Sequence, residues 1–171
     1  MEEPRGRYAD EAAVLLREHN VTVRKWRKTN SGIAYNGCRE IECPHPRDVT
    51  RLAVVAHEIG HHVLGHTETK WATVPRWKEE LDAWMWSNQA LLGIGIKPDY
   101  EQVTQSLRYC FRKAVKRGML HIPEELRPYL SRTLIEWAED EMQPKPYGVA
   151  KDDTVVWVLA HNHGEAKRLV G

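Results

Sequence analysis

Residues 52 to 66 read LAVVAHEIGHHVLGH, with four histidines and one glutamate inside an otherwise apolar stretch. Histidine and glutamate are seldom buried among Val, Ile, Leu and Ala unless something compensates for their lost hydration. His57, Glu58 and His61 form the pattern H-E-x-x-H. On an α-helix each residue turns by ~100°, so His57 and His61 project from one face, about 40° apart. Their imidazoles can meet on one tetrahedral Zn²⁺, with bonds of about 2.0–2.1 Å. Glu58 lies ~100° round from His57, beside the metal, where it can take a proton from a water that the metal activates. Catalysis needs a third protein ligand and an open fourth position. The competing interpretation is a pair of core histidines satisfied by hydrogen bonds. The apolar setting favours the metal.

The third ligand is less determined. His62 lies ~140° from His57 and is read as structural. His66 would lie ~180° round on a continuous helix, so it can join only if Gly65 breaks the helix. The longer pattern H-E-x-x-H-x-x-G-x-x-H needs glycine at 64 and histidine at 67, where this chain has Leu64 and Thr67, and that class is excluded in its usual form. The following segment KEELDAW offers Glu79, Glu80 and Asp82. Glu80 is the preferred third ligand, with Glu79 and His66 as alternative metal ligands; both glutamates could also be first-turn acids placed for the helix dipole. Asp82 is a candidate to accept from a ligand histidine's other N–H. Gly60, costly in a helix, leaves room for a substrate or a neighbouring strand.

These residues need particular elements to hold them. Asp48 or Thr50 can cap a helix over roughly 51–64 that carries the motif. TVPRWKEELDAWMWSNQALLG reads as a second long helix, with Pro75 in its first turn and Gly93 past its end. Upstream, 8–19 is a short amphipathic helix, 21–28 an extended run, and 32–43 a hairpin with Asn36-Gly37 at its turn. KPDYEQVTQSLRYCFRKAVKRG is a third long helix, with Val103, Leu107, Cys110 or Phe111, and Ala114 facing inward. One or two helices follow in PEELRPYLSRTLIEWAEDEM. PKPYG then acts as a breaker, and TVVWVLAHNH ends the chain as a strand. The fold class expected is α+β, a small N-terminal β-sheet packed on the H-E-x-x-H helix and a following ligand helix, with a helical C-terminal part.

Composition sets the bounds. Hydrophobic residues at 42% and charged ones at 29% are enough for one core in a 171-residue chain. A net charge of +1 gives no global argument for nucleic acid or membrane. No stretch reaches transmembrane length, and the first residues lack the apolar run of a secretory signal. Three cysteines do not make a disulfide framework, so the expectation is a cytoplasmic protein with reduced thiols.

VTRLAVVAHEIGHHVLGH followed by EELDAWMWSNQALL resembles the ImmA/IrrE family of zinc metallopeptidase-like proteins, over roughly residues 20 to 93. In that family an H-E-L-G-H helix follows a small sheet and precedes a helix with an E-x-E-A-N/D-x-F-A motif. The resemblance implies a zincin-like fold, with His57, His61 and Glu80 as zinc ligands and Glu58 as general base. The domain division expected is a zincin-like metallopeptidase core at 1–97 and a helical extension, ending in a strand and packed on that core, at 98–171. Leu81 stands where the motif has Ala, Trp84 where it has Phe, and Lys78 where a glutamate is common.

The function expected is therefore that of a zinc-dependent endopeptidase acting on a protein or peptide. The resemblance implies regulatory cleavage of a target such as a DNA-binding transcriptional repressor. The alternative is a catalytically silent interaction protein on the same scaffold, binding a protein or nucleic-acid partner. Intact Glu58 argues against the alternative, since a structural metal site needs no base. Weaker signals have plainer meanings. Cys38, Cys43 and His45 read as hairpin positions rather than a second metal site. The stripe Arg108, Arg112 and Lys116, with Lys113 and Arg117 beside it, reads as a solvated face first and a nucleic-acid contact second. His161 and His163 are placed on the terminal strand as structural or surface residues.

Overall fold

The computed structural model describes residues 6–68, 74–152 and 154–171. Part of the polar loop expected after Gly65, and most of the first residues read for a signal, lie outside them. The chain divides into two compact units, Met1–Ser106 and Leu107–Gly171, so the division falls inside a helix rather than at 97/98. Mixed α+β structure, with small sheets and several helices, is what the described residues form.

The first unit opens with helix α1 (Arg7–Glu18), which buries Ala9, Ala12 and Leu15 on one face. Strands β1 (Thr22–Arg27), β2 (Ile33–Ala34) and β3 (Glu40–Pro44) form a sheet of order β1-β3-β2. β3 is central, parallel to β1 (Thr22 opposite Glu40) and antiparallel to β2 (Ile33 opposite Glu42). The expected hairpin is thus the β2–β3 pair. Its connection is longer than a two-residue turn: Tyr35 N–H still donates to Glu40 C=O, and Gly37, at φ +76°, donates to Thr67 C=O. Ile41 and Cys43 alternate inward along β3 and are fully buried.

β3 ends at Pro44, and neither Pro44 nor Pro46 has an N–H to donate to a ladder. Helix α2 (Val49–Val63) then starts at Asp48, whose carboxylate accepts from Arg51 N–H at 2.8 Å. Leu52 through His62 are all buried, which explains why an apolar helix is needed there. Gly65, at φ +74°, ends it: Gly65 N–H donates to His62 C=O and His66 N–H to His61 C=O, the paired bonds of a Schellman cap. Helix α3 (Arg76–Gly93) follows Pro75 and packs on α2, with Ser87 Oγ donating to Ala53 C=O.

The neighbour of Gly60 is this helix, not a substrate or a strand. A Cβ at position 60 would lie 3.1 Å from Ala83 C=O and from the Trp86 ring. The glycine lets two helices approach closely.

Helix α4 (Tyr100–Lys116) begins in the first unit and ends in the second. Its buried stripe is Val103, Leu107, Phe111 and Val115; the strict i, i+4 step selects Phe111 over Cys110 and Val115 over Ala114. In the second unit a 3₁₀ turn (Glu124–Tyr129) precedes helix α5 (Arg132–Glu141), capped by Ser131 accepting from Leu134 N–H.

PKPYG is no breaker: strand β4 (Lys145–Lys151) runs through it and pairs antiparallel with β5 (Thr154–Ala160). In a two-stranded sheet both strands are edges, so Pro146 can lack an N–H without breaking a ladder. Nor does the chain end as a strand. β5 stops at Ala160, and helix α6 (His163–Val170) closes against the hairpin through Val149, Ala160 and Ala166. Asn162 caps it by accepting from Glu165 N–H, while the Glu165 carboxylate accepts from His161 N–H and Nδ1. His161 thus precedes the helix and His163 begins it, instead of alternating along a strand. Among the described residues no helix is long and apolar enough to cross a membrane.

Candidate metal centre

α2 and α3 bring His57, His61 and Glu80 together, all three buried. His57 Nε2 lies 3.2 Å from His61 Nε2 and 3.2 Å from Glu80 Oε2; His61 Nε2 lies 3.7 Å from Glu80 Oε1. Ligand atoms bound tetrahedrally to one ion at about 2.0–2.1 Å stand about 3.4 Å from each other. The spacing found is that of such a set. Two ring nitrogens and a carboxylate this close also repel through their lone pairs unless a proton or a cation lies among them. The His57–His61–Glu80 group could therefore hold a metal ion.

Protonation favours binding. Burial, and then the neighbouring His57, push His61 down to about 2, so its imidazole is neutral. Burial alone would raise the Glu80 carboxyl. The hydrogen bond and charge of His57, with His61 and Arg76, outweigh it and hold Glu80 at about 2, ionised.

What surrounds the ligands differs from the sequence expectation. Because the Gly65 cap turns the chain back, His66 Nδ1 comes within 2.9 Å of His61 Nδ1. That places His66 behind the ligand, on its other nitrogen, rather than beside the ligand atoms. Asp82, expected in that supporting place, is half-exposed and accepts from Lys78 Nζ at 2.9 Å. The geometric reason is its position: one helical step of ~100° separates neighbours, so Asp82 lies ~200° round from Glu80 on α3. Glu79 pairs with Arg76, Oε2 to Nη1 at 3.3 Å. His57 Nδ1 is buried without a hydrogen-bond partner among the described residues. Its ring is oriented instead by stacking on Trp84, with centroids 4.1 Å apart and planes 25° apart. His62 is structural: Nδ1 meets Thr67 Oγ1 and Nε2 meets the Glu40 carbonyl, tying α2 to β3.

Glu58 is 6% exposed. Burial raises its carboxyl to about 7, His57 drawing it down and Glu80 pushing it up. A carboxylate near neutrality can accept and release a proton at physiological pH. Its neighbour is Gly32, at the start of β2, where any Cβ would collide with the Glu58 side chain.

Two nearby residues were not foreseen. Arg76 contacts both glutamates, and its i, i+3 and i, i+4 spacing to them was a signal in the sequence. Gly32 had no signal, since only the folded sheet brings it to the helix.

The weaker candidates lie elsewhere. Cys38 is exposed and Cys43 buried, and burial raises the Cys43 thiol. The ring of His45 packs on Trp26. Arg108 donates to the Tyr129 carbonyl, while Arg112, Lys113, Lys116 and Arg117 are exposed. Comparisons of the chain with protein-family models, with curated proteins and with solved structures gave no match.

Proposed function

We propose that the chain is a zinc-dependent endopeptidase with a zincin-like fold, of the ImmA/IrrE type that residues 20 to 93 resemble. One observation carries the reading. Two histidine nitrogens of α2 and a carboxylate of α3 stand at the spacing of a tetrahedral metal site, and the histidines share their helix with a buried glutamate held near neutrality. A purely structural site has no use for that glutamate.

When bound, Zn²⁺ supplies a Lewis acid that polarises a carbonyl and lowers the pKa of water towards about 7. His57 and His61 would offer their Nε2 atoms to it, and Glu80 an anionic oxygen. Glu58 takes the proton of the attacking water and passes it to the leaving amine. An extended peptide lies along the free edge of β2, next to Gly32 and so next to Glu58, in this reading. The resemblance adds a protein target such as a transcriptional repressor, and the cysteine usage fits a cytoplasmic setting with reduced thiols.

A second reading has its own observation. Val155, Trp157 and Leu159 alternate on β5 and are 60–69% exposed, an apolar face that an interaction protein would use. In that reading the metal braces α2 on α3 and no bond is cut.

Elemental mass spectrometry of the wild type and of His61→Ala, Glu80→Ala and Glu58→Gln, with hydrolysis of an unfolded protein substrate followed alongside, separates the two. One zinc per chain, lost in the first two variants and kept in Glu58→Gln, with hydrolysis only in the wild type, is the expected outcome. A folded wild type that binds no metal would sink the proposal. Metal without hydrolysis would favour the second reading.

A further inference from the structure

Arg76 opens α3 one turn before Glu80, and its guanidinium reaches back over both acids of that turn. Nη2 lies 2.5 Å from Glu80 Oε1, and Nη1 lies 3.3 Å from Glu79 Oε2. The arginine side chain is 63% exposed, whereas the two carboxylates are buried. A guanidinium presents its donors in a fixed fork, so two carboxylates gripped at once fix each other's orientation.

The consequence falls on Glu80, whose two oxygens have different neighbours. Oε2 faces His57 Nε2 at 3.2 Å. Oε1 has His61 Nε2 at 3.7 Å, but the nearer and stronger partner is Arg76. A charge-assisted hydrogen bond that short takes up most of the donor strength of one carboxylate oxygen. Glu79 is the anchor for the other arm of the fork, which keeps the guanidinium at the rim instead of letting it swing among the ligands.

We infer that Arg76 is a positioning residue that commits Glu80 to bind a metal through Oε2 alone. A glutamate left free can chelate through both oxygens and fill the position that catalysis needs open. Arg76 withholds the second oxygen and keeps that position for water or substrate. This inference rests on the metal reading proposed above and adds a coordination number to it.

Co²⁺ serves as the probe, because its visible absorption is strong in four-coordinate sites and weak in sites of higher coordination. Wild type, Arg76→Met and Arg76→Lys are titrated with Co²⁺ alone and the d–d bands compared at one ion per chain. The expected result is a strong band in the wild type and a fall of about 2-fold or more in Arg76→Met. Arg76→Lys, which keeps one cationic donor for Oε1, retains most of the band. Superimposable spectra for wild type and Arg76→Met would overturn the inference while leaving the metal site standing. A wild type that takes up no Co²⁺ would overturn the metal reading itself, and the inference with it. Arg76 is itself exposed but contacts the buried carboxylates of Glu79 and Glu80, so circular dichroism of each variant is recorded first to show that the fold is kept before the bands are compared.

Discussion

Gly32 and Glu58 are in direct apposition: a Cβ at position 32 would fall within the van der Waals envelope of the Glu58 Cγ and carboxylate. The backbone of the chain entering β2 thus forms one wall of the pocket that holds the candidate base. Any side chain at 32 has to displace Glu58, and the buried carboxylate has little room to go elsewhere. Gly32→Val should therefore lower hydrolysis by roughly 10²-fold or more, the usual contribution of a positioned general base. Metal content should stay at the wild-type level, because the atoms nearest to a Cβ at 32 belong to Glu58 and not to His57, His61 or Glu80. Parallel elemental analysis and activity measurements check both halves.

The Nδ1–Nδ1 contact between His61 and His66 predicts an effect on metal affinity. When His61 offers Nε2 to an ion its proton sits on Nδ1, and His66 is the acceptor that fixes the ring. His66→Ala should weaken Zn²⁺ binding by roughly 10–100-fold, as loss of such a partner commonly does. Asp82→Asn should leave affinity within experimental error, since its carboxylate is engaged by Lys78. Competition titrations against a chromophoric chelator would read both. Equal losses in the two variants would contradict the assignment.

Gly60 predicts a stability effect opposite to helix propensity. Alanine is favoured over glycine inside a helix by about 1 kcal/mol. Yet a Cβ at 60 would press on Ala83 C=O and on the Trp86 ring at 3.1 Å, and the carbonyl belongs to a packed helix that cannot fold aside. Gly60→Leu, larger still, should cost roughly 1–3 kcal/mol or more through overpacking. The same push moves α3 away from α2, so metal affinity should drop together with the denaturation midpoint. A Gly60→Ala variant more stable than wild type would show that the helices yield.

Asp99 predicts an acid limb in the stability curve. Its carboxylate accepts from Thr50 Oγ1 at 2.7 Å and from Gln102 N–H at 3.2 Å, linking the start of α2 to the start of α4. The Thr50 hydrogen bond, partly opposed by burial, holds its carboxyl below the usual aspartate value. A folded value below the unfolded one means the contribution is present above about pH 4 and is lost as pH falls through the folded value. Asp99 is half-exposed, so solvent screening limits the electrostatic share. Thr50→Val should cost roughly 1 kcal/mol at pH 7 and flatten the fall in stability below pH 4, as read by urea denaturation at several pH values.

What the sequence disclosed follows from which relations are local. His57, Glu58 and His61 sit on one helix, and helical rotation alone fixes their relative directions, so the motif could be read without a fold. Glu80 is on the next helix, and only its spacing and the family resemblance pointed to it rather than to Glu79. His66 depended on the left-handed Gly65, a single backbone residue that reversed its direction. Gly32 comes to Glu58 through the pairing of β2 with β3, a relation carried by no periodicity. In the second unit, two prolines hid strand β4 because proline is costly in sheets of more than two strands. Asn162 with Glu165 three residues on is a helix-start pattern that the strand expected over TVVWVLAHNH leaves out.

The passage of α4 across the boundary at Ser106 has a practical consequence for dissecting the chain. The division falls inside α4, so a protease cut or a cloning scar placed there would break a helix. A fragment ending at Ser106 would keep only the first turns of α4, too short to hold as a helix alone, and would strip Val103 of the Leu107 and Phe111 that continue its stripe. The Thr50–Asp99 link roots that same helix on α2, so the loss would reach the element that carries the histidines. Recombination that exchanges the second unit, in evolution or at the bench, has to splice helix to helix in register, with apolar residues kept four apart through position 115.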